Sequence, residues 1–384
     1  MINQTEVTLH RLDRLNAEQQ RISYQSSTGK KIDNGSDDAV LFTRQIFVED
    51  KIKTFEGIQD QLNKTTVHNN VSDSAIAEIK NLLEQVKSEL LKANTDTTTD
   101  EGKKAIAVSV AGVKQNILDL ANTKIDGEYL FSGSDSSIAS FTQDPTTGEV
   151  SYNGDNHLRK IAVDEGSYRQ KGVNGFDMMM YSTDTATKAD TLEFSTSQRI
   201  VDQDGFEWKP DSTTAPTKLV RYDFNGNATT DELTVTPNAG ANAAKYPYQI
   251  TTPNVDGTKF EAKTNIFDEI DNVVNALNKV DSDGNPVSDA VADAALTEGL
   301  DSINSAYDAV NVAHAELGGR NRVFEISEEK ISAKITQYDI MFQEIAAADL
   351  AKVAVEAKAL ELTFTALYST INKTNELSLV NFIR

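Results

Sequence analysis

Apolar positions along the chain fall into two textures. Near the C-terminus Ala346, Leu350, Val353, Ala357, Leu360, Phe364, Leu367 and Ile371 follow one another at alternating steps of four and three, the a/d seam of a coiled coil. A second seam, Ile331, Ile335, Tyr338, Phe342 and Ile345, precedes it one position out of phase, as a stutter produces. The spacing predicts one continuous helix over 331–375, roughly 65 Å long at ~1.5 Å per residue. Upstream, Ile76, Ile79, Leu83, Val86 and Leu90 keep the same rhythm, as do Ile106, Val110, Val113, Ile117 and Leu120. The polar run 94–101 between them reads as a turn, with Asp100 as N-cap of the second helix, so the two helices are expected to pair antiparallel. The N-terminal register Thr5, Thr8, Leu12, Leu15, Gln19, Ile22 is half polar. A helix built on it buries too little apolar surface to offset its ordering entropy and needs partners.

Proline and glycine placement separates these helices from something else. All seven prolines lie between 145 and 286. Between 128 and 265 stand fifteen of the 27 aromatic residues and ten of the 20 glycines, a texture no long helix carries. Short runs there, Leu130-Phe131, Val150-Ser151-Tyr152, Ile161-Ala162-Val163, Leu219 to Phe224 and Leu233-Thr234-Val235, read as strands. Tyr152-Asn153-Gly154-Asp155 and Phe224-Asn225-Gly226-Asn227 read as their turns. The fold class is therefore α+β: a long helical coiled-coil bundle formed by both chain ends, with an inserted β-rich domain. The expected division is 1–45 plus 340–384, a terminal helical domain; 46–130 plus 264–339, a helical bundle; and 131–263, the β-rich insert. The terminal seams close either on each other or against other copies of the chain.

Charge and composition then exclude function classes. The 384 residues carry 37 Lys+Arg against 59 Asp+Glu, a net of -22. That argues against nucleic acid, whose binding starts from a basic surface, and against a membrane partner held by anionic lipid. Cysteine is absent, which removes disulfide scaffolds, thiol catalysis and Cys-based metal sites. The N-terminus has no apolar run typical of a cleavable signal, and no stretch is apolar enough to span a bilayer. Export, if it occurs, uses another route.

Catalytic and metal chemistry finds no pattern. His10, His68, His157 and His314 lack a second ligand at helical spacing; Glu316, two residues from His314, points to another face. Asp281-Ser282-Asp283-Gly284-Asn285 opens like a calcium loop, but Pro286 stands where glycine is required and Ala292 where a bidentate glutamate is required, so it reads as a polar turn. Ser27-Thr28-Gly29-Lys30-Lys31 fails as a phosphate loop because Tyr24 stands at its first glycine and Lys31 at its Ser/Thr. Paired acids such as Asp37-Asp38 and Glu328-Glu329 read as helix caps and solvated faces. Phe206-Glu207-Trp208 could form a sugar platform, yet without accompanying acids it reads as β-core packing. The expectation is no enzyme, no cofactor and no metal.

One resemblance does emerge. Leu15, Gln19-Gln20-Arg21-Ile22-Ser23 and Ser26-Ser27-Thr28-Gly29-Lys30-Lys31-Ile32-Asp33-Asn34-Gly35-Ser36-Asp37-Asp38-Ala39 resemble the N-terminal signature of the bacterial flagellin superfamily. Asp349-Leu350-Ala351 and the closing Asn375 to Ile383 are similar to its other end. Gly127-Glu128-Tyr129-Leu130-Phe131-Ser132-Gly133, then Tyr152-Asn153-Gly154-Asp155, Gly172-Val173-Asn174-Gly175 and Leu317-Gly318-Gly319-Arg320-Asn321-Arg322, resemble the branch of that superfamily that joins hook to filament. Val40-Leu41-Phe42, in place of small residues, and Tyr24-Gln25 before the serines depart from filament flagellins.

The resemblance implies a structural protein of the extracellular flagellum, exported through its type III apparatus without a cleaved signal peptide. It implies a junction ring of like subunits, with the first hook-associated protein on the hook side, flagellin on the filament side, and an export chaperone. The alternatives are a filament flagellin or, from another class, a glycan-binding or glycan-cleaving surface protein. The assembly interface would be carried by Leu12, Leu15, Ile22, Leu350, Val353, Leu360, Phe364, Leu367, Ile371, Leu377, Leu379 and Phe382. The family motif falls on Gly29, Asp37, Asp38, Tyr129, Leu130, Phe131 and Gly133.

Overall fold

The computed structural model describes residues 2–95, 98–224 and 226–382; for residues 2–5, 8 and 374–382 only the backbone is described. Three helices come first: α1 (Ile2–Thr28), α2 (Ala39–Ala93) and α3 (Asp100–Ala121). The β-rich stretch opens with β1 (Lys124–Ile125), β2 (Glu128–Tyr129), β3 (Phe141–Gln143), β4 (Val150–Tyr152), β5 (Lys160–Asp164) and β6 (Ser167–Gln170), followed by the short α4 (Gly175–Met179). It continues through β7 (Met180–Thr187), β8 (Thr191–Phe194), β9 (Arg199–Asp202), β10 (Glu207–Pro210), β11 (Lys218–Tyr222) and β12 (Ala228–Thr234). It ends with β13 (Thr236–Pro237), β14 (Tyr248–Thr251) and β15 (Lys259–Asn265). Helices α5 (Ile266–Leu277), α6 (Asp289–Ala346) and α7 (Leu350–Phe382) close the chain. This is the α+β arrangement expected, a β-rich stretch inserted between helical ends. No described helix is long and apolar enough to cross a membrane.

The chain divides into two compact units, Met1–Gln61 with Val163–Ser167 and Ser327–Arg384, and Leu62–Ala162 with Tyr168–Ile326. In the larger unit the upstream seams meet. Ile76, Ile79, Leu83, Val86 and Leu90 of α2 share one buried core with Val110, Val113 and Ile117 of α3, Ile270, Val273 and Leu277 of α5, and Leu296, Ile303, Val310 and Leu317 of α6. Each such side chain withdrawn from water contributes about 1.5–3 kcal/mol, so this seam is the unit's main source of stability. The cap of α3 corrects the sequence expectation. Thr99, in extended backbone, accepts the N–H of Gly102 at 3.2 Å, and Asp100 is the first helical residue. Its carboxylate instead lies 2.7 Å from Nζ of Lys279, where an ion pair and the helix dipole both favour it.

The β elements form a six-stranded antiparallel sheet, β12-β11-β10-β9-β15-β7, and a three-stranded one, β13-β14-β8. Alternate residues face inward between them: Phe260 and Ala262 of β15, Ile200 of β9, Trp208 of β10, Leu219 of β11, and Leu192 and Phe194 of β8 share one core. Trp208 is a core residue whose indole N–H donates to Asp202 at 2.9 Å, so it offers no open sugar platform. Strand β11 pairs antiparallel with β12, and the Asp223 N–H donates to the Asn227 carbonyl at 2.8 Å; Asn225, inside the expected turn, lies outside the described residues. Two expectations fail. Leu130-Phe131 is no strand, since β2 stops at Tyr129, and Tyr152–Asp155 is no hairpin turn, since β4 pairs back onto β3.

In the smaller unit Ile331 is fully buried, and Ile335, Tyr338, Phe342 and Ile345 follow on the same face, half-buried, as their spacing dictates. The Tyr338 ring lies 5.6 Å from that of Phe55, itself buried on α2. The tip of the β5–β6 hairpin belongs here. Asp164 pairs with Lys330 at 2.8 Å and Lys334 at 2.6 Å, and the two ammonium donors hold its carboxyl far below the usual range.

The single helix expected over 331–375 is interrupted. Chain 347–349 separates α6 from α7 at the point where the two seams slip phase between Ile345 and Ala346. A coiled coil could absorb the slip by local unwinding. Here the chain breaks instead, because Asp349 caps the next helix through the N–H groups of Ala351 and Lys352, both at 3.0 Å.

Candidate assembly surface

The terminal helices α1 and α7 pair through a thin seam. Ile22, Val353 and Leu360 are buried together, with Leu15, Ala348, Ala357 and Phe364 half-covered against them. Arg21 pairs with Glu356 across the seam at 3.0 Å. Beside it runs an open groove of about 740 Å³, lined by Ile22, Ser26, Leu360, Phe364 and Tyr368 among others. Three buried side chains cannot offset the ordering entropy of a 27-residue and a 33-residue helix. Nor is this the unit's only uncovered apolar surface. Val40, Ile46, Phe47, Ile340, Leu350, Val355, Leu362 and Tyr368 are all at least half exposed.

Of the residues expected to carry assembly, the seam thus gathers Leu15, Ile22, Val353, Leu360 and Phe364. Leu12, Leu367 and Ile371 are half-buried. Leu350 is a departure from the heptad reading, since it is 55% exposed one residue beyond the break and joins no buried seam among the described residues. The side chains of Leu377, Leu379 and Phe382 lie outside the described residues, as do those of Thr5 and Thr8.

A backbone clip joins the inner ends of the two helices. Gly29, with φ +71°, ends α1 in the left-handed conformation that glycine adopts without a Cβ clash. Lys30 then forms an antiparallel bridge to Ala347: the N–H of Lys31 donates to the carbonyl of Ala346 at 2.8 Å, and that of Ala348 to the carbonyl of Gly29 at 2.7 Å. The buried side chain of Gln25 donates to the Lys31 carbonyl at 2.6 Å and locks the segment from below. Each chain then restarts a helix from an aspartate. Asp349 caps α7, and Asp38 caps α2 by accepting the N–H groups of Val40 at 3.0 Å and Leu41 at 2.9 Å. Asp37 turns the other way and accepts from Asp33 at 3.1 Å and Asn34 at 3.0 Å, which lowers its pKa. The Asp-Asp-Ala and Asp-Leu-Ala signatures therefore occupy equivalent places, one on each side of the clip. Sequence reasoning missed the clip, although a capping aspartate at a heptad phase slip was a usable signal.

In the larger unit the remaining motif residues converge on a knot. Phe131 is fully buried, and its carbonyl accepts the N–H of Gly175 at 2.6 Å. The Tyr152 hydroxyl donates to the carbonyl of Asp155 at 2.8 Å and lies 3.1 Å from that of Phe131. Asp155 Oδ1 accepts from Ser134 at 2.9 Å and His157 at 3.0 Å. Three separate stretches, around Phe131-Gly133, Tyr152-Asp155 and Asn174-Gly175, are thus one packing unit. Tyr129 and Leu130 are half-buried beside it.

A polar cleft of about 750 Å³ in the same unit is lined by Lys114, Gln198, Lys245, Asp268, Glu269 and Asp271 among others. Lys114 pairs with Asp271 at 2.6 Å, and Tyr181 donates to Glu269 at 3.4 Å. Burial, then the charges of Glu149 and Asp271, push the Asp268 carboxyl up to about 7. A raised folded pKa means that the folded chain holds a proton the unfolded chain has lost, so this group's contribution to stability falls as pH rises from 3.8 to about 7. Asp268→Asn should therefore stabilise the unit above about pH 8, by roughly 1–2 kcal/mol after allowing for partial solvation, and not below about pH 4. Thermal melts of both chains at the two pH values test this; an equal shift at both contradicts it. Elsewhere, His314 lies 2.9 Å from Asp73 and His68 lies 3.8 Å from Asp126. No group of three or more potential metal ligands occurs among the described residues.

Comparison with known proteins bears on this surface. Residues 2–136 match the family described as bacterial flagellin N-terminal helical region, about a third of the chain. Flagellar hook-associated protein 3 of Salmonella typhimurium is 25% identical over 130 residues, 33% of this chain and 40% of that protein. The protein of the same name from Escherichia coli is 25% identical over 131 residues, 33% of this chain and 41% of it. The aligned stretch thus spans about two-fifths of either relative. Among solved structures, FlgL of Xanthomonas campestris is 19% identical, with a TM-score of 0.50 over 76% of this chain and 97% of its own. Flagellar hook associated protein-3 of Legionella pneumophila is 18% identical, with a TM-score of 0.52 over 78% and 98%. At those identities the two structures speak to the fold alone. The resemblance to the flagellin superfamily read from the residues holds, and the relatives it leads to are named flagellar hook-associated protein 3.

Proposed function

We propose that this chain is a non-enzymatic structural subunit of the bacterial flagellum, joining hook to filament as a ring of like subunits. The observation that carries the reading is the unfinished α1–α7 pair, a thin seam beside an open groove and a series of exposed apolar residues. Such a surface is completed by neighbouring copies, because helical or ring symmetry lets one patch satisfy its counterpart on the next subunit. The match of residues 2–136 supports it independently. The partners are the first hook-associated protein below, flagellin above and an export chaperone before assembly; the location is extracellular, reached by type III export.

Filament flagellin is the second reading, favoured by the same N-terminal family description. Copy number separates the two. A strain lacking the chain should carry intact hooks and release unpolymerised flagellin into the medium, and in wild-type cells the chain should be a trace component of sheared filaments. Abundance equal to the main filament subunit would establish the second reading instead.

A further inference from the structure

We propose that Asn34–Gly35 is a site of spontaneous modification, deamidation through a succinimide, in the connector between α1 and α2. The sequence holds four Asn-Gly pairs, at 34, 153, 174 and 225. Asn225 lies outside the described residues, and the structure separates the other three. The reaction needs a free main-chain nitrogen on the glycine, a free asparagine amide, and room for the backbone to close a five-membered ring.

Asn174 fails on the glycine nitrogen and on room, an added Cβ on Gly175 lying 2.7 Å from the Tyr152 ring. It is fully buried, its Oδ1 accepts the N–H of Asp177 at 2.7 Å, and the Gly175 nitrogen donates to Phe131 at 2.6 Å. Asn153 is tied through its amide to the Ala139 carbonyl at 3.2 Å and to Thr142 at 3.1 Å. Gly154 behind it is so tightly packed that an added Cβ would sit 2.3 Å from the Ser132 carbonyl oxygen, leaving no space for ring closure. Asn34 meets the first two requirements, and at the third the atoms nearest an added Cβ on Gly35 belong to the Phe42 ring, at 2.9 Å, a side chain that can turn aside where the Ser132 backbone beside Gly154 cannot. Its side chain is exposed, and among the described residues neither that side chain nor the Gly35 N–H has a hydrogen-bond partner. The Asn34 main chain is held by its N–H to Asp37 Oδ2 at 3.0 Å and its carbonyl to the Asp37 N–H at 3.0 Å, while the two reacting groups themselves are not engaged.

The chemistry needs only water. Hydroxide removes the Gly35 amide proton, the nitrogen bonds to Cγ of Asn34, and the Cγ–Nδ2 bond breaks as ammonia leaves. Water then opens the ring at either carbonyl, leaving aspartate or isoaspartate at position 34. Nothing is oxidised or reduced. The product adds a carboxylate beside Asp33, Asp37 and Asp38, and the isoaspartate form also inserts a methylene into the main chain three residues after the clip.

The test incubates the full chain at mildly alkaline pH and maps its tryptic peptides, with isoaspartate detected by chromatography and enzymatic methylation. Peptide 32–44 should accumulate modified forms several-fold faster than the peptides holding Asn153 and Asn174. In denaturant the three rates should converge. Equal rates in the folded chain, or a difference that survives denaturation, would overturn the assignment. Asn34→Gln should abolish the change in peptide 32–44 alone.

Discussion

Replacing Phe364 by aspartate should leave hooks intact and bare, with flagellin lost to the medium. Phe364 half-covers the α1–α7 seam, lines the groove beside it, and has the Tyr368 ring 6.2 Å away. Among the described residues lining the groove none is a cation, so a carboxylate there must either stay hydrated, which holds the seam open, or be buried unpaired at a cost of several kcal/mol. In the proposed ring each subunit presents the same face, so the defect would recur at every interface. Phe364→Leu keeps the apolar contact and should restore filaments. The measurement is electron microscopy of hook tips together with flagellin in the medium. Secreted Phe364→Asp chain should keep the melting transition of the larger unit, which separates an assembly defect from misfolding. Normal filaments on the Phe364→Asp strain would remove this face from the assembly surface.

The second large effect is expected in the knot. Gly133 has φ +85°, and a Cβ there would lie 2.2 Å from Oδ1 and 2.6 Å from the main-chain oxygen of Asp155. Gly127 has nearly the same φ, +84°, with nothing within 4 Å. Gly127→Ala should therefore cost only the left-handed strain, about 1–2 kcal/mol. Gly133→Ala adds the displacement of a backbone carbonyl and of a carboxylate that anchors Ser134 and His157, for a total of roughly 3–5 kcal/mol. Denaturant melts of the two variants isolate the packing part by difference. Equal destabilisation would mean that the Asp155 segment yields freely and the knot is no constraint.

The helices and the fold class were legible because helical periodicity is a local signal repeated over many turns. Ile76 to Leu90 and Val110 to Ile117 are buried as their spacing required. The motif residues were legible only as a resemblance; that Phe131, Tyr152 and Gly175 touch follows from β4 pairing back onto β3, a contact with no sequence signature. The helix break escaped because heptad spacing continues through a phase slip whether the chain unwinds there or stops. What decided it was Asp349, a cap whose weight depends on Gly29 and Lys31 being at hand to take the orphaned backbone groups of the break. Asp100 was misplaced by one residue because threonine and aspartate both cap well, and the choice fell to Lys279, brought near from the other side of the β-rich stretch. The raised pKa of Asp268 likewise depends on burial and on Glu149, neither visible locally.

The clip also sets an order of events. Lys31 reaches the main chain of Glu344 across a sequence separation of 313 residues, whereas the α2 and α3 seams are joined by a short turn. Closing so long a loop costs more entropy and comes later than closing a short one. A chain still missing its last tenth can build the α2–α3 pairing but has no α7 to set against α1. The α1–α7 pairing therefore follows the α2–α3 hairpin in folding, and a chain without α7 leaves the apolar face of α1 with nothing of its own to cover it.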